Sequence, residues 1–133
     1  MGLHHLKLDE TPGTNQYALQ LLAAGRPPEG TVVSARTQTA GRGRLARLWH
    51  SQPGENLTVS YILYPSFLPA HRQFYLNMAI ALGLQRAAQS LLPGAEVRVK
   101  WPNDIYTGDR KLAGILIETA LSGQQMQYAV AGI

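Results

Sequence analysis

The 133 residues predict an α+β fold with helices packed on a largely β framework. Two stretches carry the 3.6-residue apolar period of helices, and six short runs read as strands. The last three of those runs follow one another with only turns between, which predicts an antiparallel meander. The length suits one domain, and with 45% apolar and 15% charged residues it suffices to bury a core.

In chain order, Leu6 and Leu8 alternate with polar neighbours, so residues 3–9 form a short strand that ends at the Pro12-Gly13 turn. Thr14 is positioned to cap a helix over 14–24, with Tyr17, Ala18, Leu21 and Leu22 on one face and Gly25 as its stop. Strands follow at 31–36 and 56–63, the second with Leu57, Val59, Tyr61 and Leu63 on one side. Residues 74–92 give the strongest helix. Met78, Ala81, Leu82 and Gln85 fall on one face, Leu76, Ala79, Ile80 and Leu84 widen it, and Pro93-Gly94 ends it. Strands at 97–101, 112–121 and 125–133 complete the chain, joined by turns at 103–110 and at Ser122-Gly123.

The formal net charge of +4 favours an anionic partner without naming one. Its distribution is more informative, since Arg36, Arg42, Arg44 and Arg47 crowd a stretch with no carboxylate. There is no cysteine, which removes disulfides and thiolate chemistry and fits a reducing compartment. The four histidines have no HExxH spacing, so a structural zinc site is not expected. The N-terminus lacks a leader pattern, and no run approaches the roughly 20 apolar residues of a membrane span, so the expected address is cytoplasmic and no membrane partner is expected.

Two tracts carry chemistry. The first, QTAGRGRLARLW from Gln38 to Trp49, has no hydrophobic period and reads as a long loop, a candidate lid. Arginine forks two hydrogen bonds onto phosphate or carboxylate oxygens, and glycines such as Gly41 and Gly43 permit unusual torsions and close backbone approach. The loop is therefore either a clamp that an anion orders or an ordinary solvated basic loop. A GxG pair without a third glycine is not a dinucleotide fingerprint, and no GxxxxGK[ST] occurs.

The second tract, KWPNDIYTGDRKLAGILIE, runs from Lys100 to Glu118. Pro102 fixes a turn that aims Asn103 and Asp104 away from the strand, where they serve a ligand or a magnesium ion, or act only as turn residues. Lys111 is a point charge suited to neutralising an oxyanion, or a plain edge charge. Gly114 marks a bulge or a ligand passing the backbone, and Glu118, at even spacing from it, is a surface carboxylate or a lysine's partner.

These tracts, together with GTNQYA at Gly13 to Ala18, resemble the catalytic domain of biotin protein ligases from about Leu6 to the last residue. The resemblance implies a mixed, largely antiparallel sheet flanked by helices, like that of class II aminoacyl-tRNA synthetases and lipoate ligases. It also implies a two-step reaction in which biotin and MgATP give biotinyl-5′-adenylate, and biotin then passes to a lysine of a biotin carboxyl carrier domain. Gly13, Thr14 and Asn15 then fall against the biotin rings, with Gly13 where the family has serine. Gln38 falls near the ureido group, while Gly41, Arg42, Gly43, Arg44 and Arg47 form the adenylate loop, with Trp49 packing on the ligand after it.

By the same resemblance Lys111 meets the biotin carboxylate and the α-phosphate. Trp101, Asn103 and Asp104 support the adenylate, Asp104 as the candidate Mg2+ ligand, and Gly114 lets a ligand approach. The catalytic candidates are Lys111, Arg44 and Asp104. The chain is expected to be a single, C-terminally incomplete catalytic domain over residues 1–133, without a DNA-binding or SH3-like domain and without a DNA partner. An open sheet edge at 125–133 is expected either to pair with another chain, as in a homodimer, or to be poorly ordered. A lipoate or octanoate ligase, and an inactive fragment that binds biotin or adenylate, are the alternative readings.

Overall fold

Valines and isoleucines that repeat on both faces of three runs, Val32, Val33, Val59, Ile62 and Val130, build a sheet that is covered on both sides. In the computed structural model, which describes residues 4–133, that sheet has the order β1-β2-β3-β8-β7. The strands are β1 His5–Thr11, β2 Val32–Gln38, β3 Thr58–Leu63, β7 Leu116–Ser122 and β8 Gln125–Gly132. Only the β1–β2 pair is parallel, and helix α1, Thr14–Ala24, makes the crossover between its strands. A second sheet, β4 Val97–Lys100, β5 Asp104–Thr107 and β6 Arg110–Gly114, is antiparallel throughout. Helix α2, Gln73–Leu91, lies against β4 and β5.

The α+β class and the mixed, largely antiparallel sheet stand as expected. So does the inner face of α1. Ala18 is fully buried with Val33, Ile62 and Val130, and Tyr17, Leu21 and Leu22 pack around them. Leu3, placed at the start of the first predicted strand, lies outside the described residues.

Four expectations are corrected. The run 112–121 is not one strand but two, in different sheets, because the chain changes sheets at buried Ile115. There Asn103 clamps the backbone: its carbonyl accepts from Ile115 N–H at 2.8 Å and its Nδ2 donates to the Ile115 carbonyl at 2.9 Å. Residues 103–110 are not a turn either. Asp104–Thr107 is the central strand of the small sheet, and the turn is reduced to Gly108-Asp109, with Gly108 at φ +55°. A Gly-Asp pair between a β-branched, aromatic run and its continuation is the hairpin signal that marks it.

Strand β8 is not an edge. It sits between β3 and β7, with Ala129, Val130 and Ala131 buried, so the edges of the large sheet are β1 and β7. Finally, only Ala81 on the predicted face of α2 is buried, while Met78 and Leu82 are 43% and 52% exposed. A helix of 19 residues is about 28 Å long, whereas four-residue strands reach only about 13 Å, so β4 and β5 are too short to cover it. Amide side chains tether α2 in place of a full apolar seam, Gln85 Nε2 donating to the Val97 carbonyl at 2.7 Å and Asn77 Nδ2 to the Pro102 carbonyl at 2.6 Å. Among the described residues no helix is long and apolar enough to cross a membrane.

Tyr64 fastens the end of β3 to the segment before β2. Its hydroxyl donates to the Pro27 carbonyl at 2.8 Å, and the Arg26 guanidinium lies 4.4 Å from the ring centre. Burial raises its pKa above the usual 10, Arg26 opposes that shift and Glu29 adds to it. A raised folded-state pKa means that its stabilisation is present below pH ~10 and is lost as pH rises through the folded value. Tyr64→Phe should cost about 1 kcal/mol at neutral pH and flatten the alkaline decline. Urea unfolding at pH 8 and pH 11 checks this, and identical pH dependence in the two proteins would contradict it.

Candidate functional site

The β1–α1 turn, the arginine loop, the β6–β7 sheet switch and the end of β8 enclose an open cavity of about 790 Å³. One wall begins where β1 stops at Thr11 and α1 starts at Thr14. Thr14 is not the cap. Gly13 holds that position in an extended conformation and has no side chain to serve the helix. Gln38, from the end of β2, does so in its place, its Oε1 accepting from Thr14 N–H at 2.8 Å. A β-carbon on Gly13 would meet nothing closer than 3.9 Å, so the position has room for a serine.

Asn15 is the centre of this wall. Ser60 on β3, Gly132 on β8 and Leu116 on β7 are successive cross-strand neighbours. Gly132 is the gap in that row, and the Asn15 amide fills it so closely that a β-carbon on Gly132 would collide with Asn15 Oδ1. Asn15 Nδ2 donates to Glu118 Oε2 at 2.8 Å and to the Leu116 carbonyl at 3.2 Å, while Oδ1 accepts from Ser60 Oγ at 2.6 Å. Glu118 is therefore neither a surface carboxylate nor a lysine's partner, and it lies on a different strand from Gly114.

The arginine loop is folded. Gly43 N–H donates to the Arg47 carbonyl and Trp49 N–H to the Gly41 carbonyl, each at 2.8 Å, which makes the loop a small hairpin. The unusual torsions fall at Leu45 and Ala46, both at φ +56°, and not at the glycines. Gly41 has a different purpose: a β-carbon there would stand 2.6 Å from the Trp49 carbonyl oxygen. At Gly43 it would stand 3.6 Å from the nearest atom, an ordinary contact. Arg42, Arg44 and Arg47 line the cavity, and among the described residues none is ion-paired. Arg44 Nη1 makes one long contact, 3.4 Å, with Asn103 Oδ1.

Facing the loop, β6 presents Lys111. A bulge at Leu112 shifts the register, so that Asp104 opposes Gly114 and Tyr106 opposes Lys111. Strict alternation would put residues 111 and 114 on opposite faces; the bulge puts both on the face of Asp104. Lys111 Nζ is 2.9 Å from Asp104 Oδ1 and 4.8 Å from the centre of the Trp49 ring. What passes over Gly114 is Trp49 itself, whose ring would stand 2.9 Å from a β-carbon there.

The cavity thus brings together Gly13, Thr14, Asn15, Gln38, Arg42 and Gly43, and with them Arg44, Arg47, Trp49, Asn103, Asp104, Lys111 and Gly114. Gly41 is buried beneath Trp49 and does not line it. Trp101 is 74% exposed and lies against Phe74, with ring centres 5.9 Å apart, away from the cavity. Asp104 fits a metal ion poorly, because Lys111 already holds its carboxylate and the described residues include no cluster of three metal-ligating side chains. Sequence reasoning does not place Ser60 or Glu118 at the site. The signal for Ser60 is a polar residue in register with Thr58 and Ile62, on the strand face opposite the obvious apolar one, and Ser60 is fully buried.

Chemically, the wall around Thr14, Asn15 and Gln38 offers amide and hydroxyl groups, with the Glu118 carboxylate behind them held by Asn15, and the opposite mouth offers four cationic side chains. Such a cavity suits an elongated ligand with a polar, uncharged head and an anionic end.

The sequence pattern of the Biotin/lipoate A/B protein ligase family matches residues 8–133. The chain is similar to the bifunctional ligase/repressor BirA of Bacillus subtilis, with 39% identity over 136 residues, covering all of this chain and 40% of that protein. It is also similar in structure to the biotin protein ligase of Leishmania major in complex with biotinyl-5-AMP. That match has a TM-score of 0.79 at 28% identity and covers 99% of this chain and 56% of that one. The Aquifex aeolicus biotin protein ligase in complex with biotin and ATP matches with a TM-score of 0.76 at 31% identity, covering 98% of this chain and 51% of that one. The chain therefore spans about 40% of the Bacillus relative and about half of the two solved ligases.

The two loop glycines should respond differently to a methyl group. Gly41→Ala should cost about 1–3 kcal/mol by forcing Trp49 away, and Gly43→Ala less than about 1 kcal/mol. Denaturant unfolding, with proteolysis at residues 42–48 as a local probe, measures both; equal effects would mean that the Gly41–Trp49 contact does not anchor the loop.

Proposed function

This chain belongs to the biotin/lipoate A/B protein ligase family, and from that premise we propose that its cavity binds biotin and joins it to AMP. The reading extends to the second step, transfer of biotin from biotinyl-5′-AMP to a lysine of a carboxyl carrier domain, and to a cytoplasmic setting in which MgATP is available. The observation that carries it is the meeting, in one cavity, of an amide and hydroxyl wall with four cationic side chains, three of them unpaired among the described residues. Biotin has that polarity, a ring urea at one end and a carboxylate at the other.

In the first step a carboxylate oxygen attacks the α-phosphorus of ATP, and pyrophosphate leaves with the bonding pair. The two reactants are both anions and repel each other, so catalysis requires positive charge fixed where they meet. Lys111 lies opposite the arginine loop and is suited to that position. Asp104, at 2.9 Å, holds its ammonium beside the Trp49 ring until an anion competes for it. Among the described residues Arg42, Arg44 and Arg47 have no carboxylate partner, so closing on a phosphate costs them no existing ion pair there. Magnesium belongs to this reading as the nucleotide's counter-ion, neutralising phosphate charge.

Trp49, docked on Gly114, closes one side of the reacting end and excludes water that would hydrolyse the mixed anhydride. A lipoate or octanoate chain brings neither N–H nor C=O to the Thr14–Gln38 wall, which is why biotin is preferred as the substrate.

Biotin-dependent exchange of pyrophosphate into ATP, with octanoate as competitor, tests the first step. Lys111→Ala should lower the exchange rate by about 100-fold or more with the fold intact. Arg44→Ala should shorten the half-life of bound biotinyl-AMP. Exchange at the wild-type rate in Lys111→Ala would remove that lysine from the mechanism.

A further inference from the structure

Glu118 and Ser60 belong to no step above, yet they are joined through Asn15 to the residue that faces the head of the ligand. The direction of each hydrogen bond in that chain follows from donor and acceptor counting. Asn15 Nδ2 faces two groups that only accept, the Glu118 carboxylate and the Leu116 carbonyl. Turning the amide over would set its oxygen against both, so Oδ1 must face Ser60. Oδ1 carries no proton, and the 2.6 Å contact therefore uses the single proton of the Ser60 hydroxyl.

Ser60 Oγ also lies 2.7 Å from Thr14 Oγ1, and its proton is already committed. That contact must use the proton of Thr14. The longer 3.2 Å approach of Thr14 Oγ1 to Gln38 Oε1 then carries no proton, and Gln38 Oε1 is served by Thr14 N–H at 2.8 Å. Two consequences follow at the cavity surface. Thr14 Oγ1 keeps only lone pairs to offer, and Gln38 keeps its Nε2 hydrogens and the second lone pair of Oε1.

We infer that Glu118, which with the Leu116 carbonyl orients the Asn15 amide, acts through Asn15 and Ser60 to hold the Thr14 hydroxyl as a hydrogen-bond acceptor and so favours a ligand whose head carries an N–H. The inference rests on the proposed biotin site and adds to it the residue that sets its polarity. A cyclic urea matches both groups, its N–H donating to Thr14 and its carbonyl accepting from Gln38 Nε2. An alkyl or dithiolane head has no N–H to give and leaves the Thr14 lone pairs unmet, which costs affinity in a buried site. Ser60 is fully buried and Thr14 nearly so, which keeps their hydroxyls out of bulk solvent. Glu118 lines the cavity beside Asn15, and the role assigned to it is positioning, through its hydrogen bond to Asn15.

The test compares two stable acyl sulfamates of adenosine, one carrying biotin and one carrying octanoate, binding to the full 133-residue chain. Because both probes share the nucleoside and the polar link, their affinity ratio reads the head alone. Wild type should prefer the biotin probe. Glu118→Ala should reduce that preference about tenfold (~1.4 kcal/mol) by weakening the biotin probe, with the octanoate probe changed less than about twofold. Glu118→Gln keeps an oxygen that accepts from Asn15 and should retain the preference.

Ser60→Ala breaks the same chain and should act like Glu118→Ala, and the double variant should lose no more than either alone. If Glu118→Ala does not fold, Ser60→Ala gives the same reading. Equal loss for both probes, or an unchanged ratio in the Ala variants, would overturn the inference while leaving the biotin site in place. A wild type with no preference for the biotin probe would instead overturn the proposed function.

Discussion

Trp49 sits where two β-carbons are missing. Its carbonyl oxygen comes too close to Gly41 for any side chain there, and its indole lies on Gly114 in the opposite sheet. Nearly everything at the site follows from that double contact. It draws the arginine loop across the cavity, joins the loop to the small sheet, and gives the Lys111 ammonium a ring face 4.8 Å away. A cation against an indole gains about 0.5–2 kcal/mol depending on its desolvation, a modest sum that depends wholly on where the ring sits. The two glycines are therefore conditions for the site's shape and have no chemistry of their own.

Charge is distributed unevenly around this joint. Lys111 has Asp104, whereas the three loop arginines have no carboxylate among the described residues. Exposed ion pairs are worth little, so Asp104 is better understood as aiming Lys111 than as stabilising the fold. The unpaired guanidiniums repel one another across a few residues, and the left-handed torsions at Leu45 and Ala46 add strain to the same segment. An arriving phosphate relieves the first of these costs and leaves the second. Such a loop is held by its ends and adaptable at its tip.

The sequence revealed more of the site than of the sheet that carries it. Charge and glycine content marked the arginine loop, and the resemblance of the tracts to biotin protein ligases assigned Thr14, Gln38 and Lys111 to one site. The split of residues 112–121 was hidden because the apolar pattern runs on through Ile115 while the hydrogen bonds change partner, and only Asn103 reveals the change. Lys111 and Gly114 share a face only through the bulge at Leu112, which alternation cannot predict. The burden placed on Gly41 and Gly43 as hinges fell instead on Leu45 and Ala46, because close approach, and not torsion, dictates Gly41. Ser60 escaped notice and Glu118 was given the wrong surroundings because single polar residues acquire meaning only from a partner distant in sequence, here Asn15.

Equilibrium dialysis of labelled biotin against the chain shows whether the cavity takes this ligand. Saturable binding should approach one biotin per chain, with the label displaced by excess biotin and retained in excess octanoate. Absence of saturable binding, or displacement by octanoate as readily as by biotin, would contradict it.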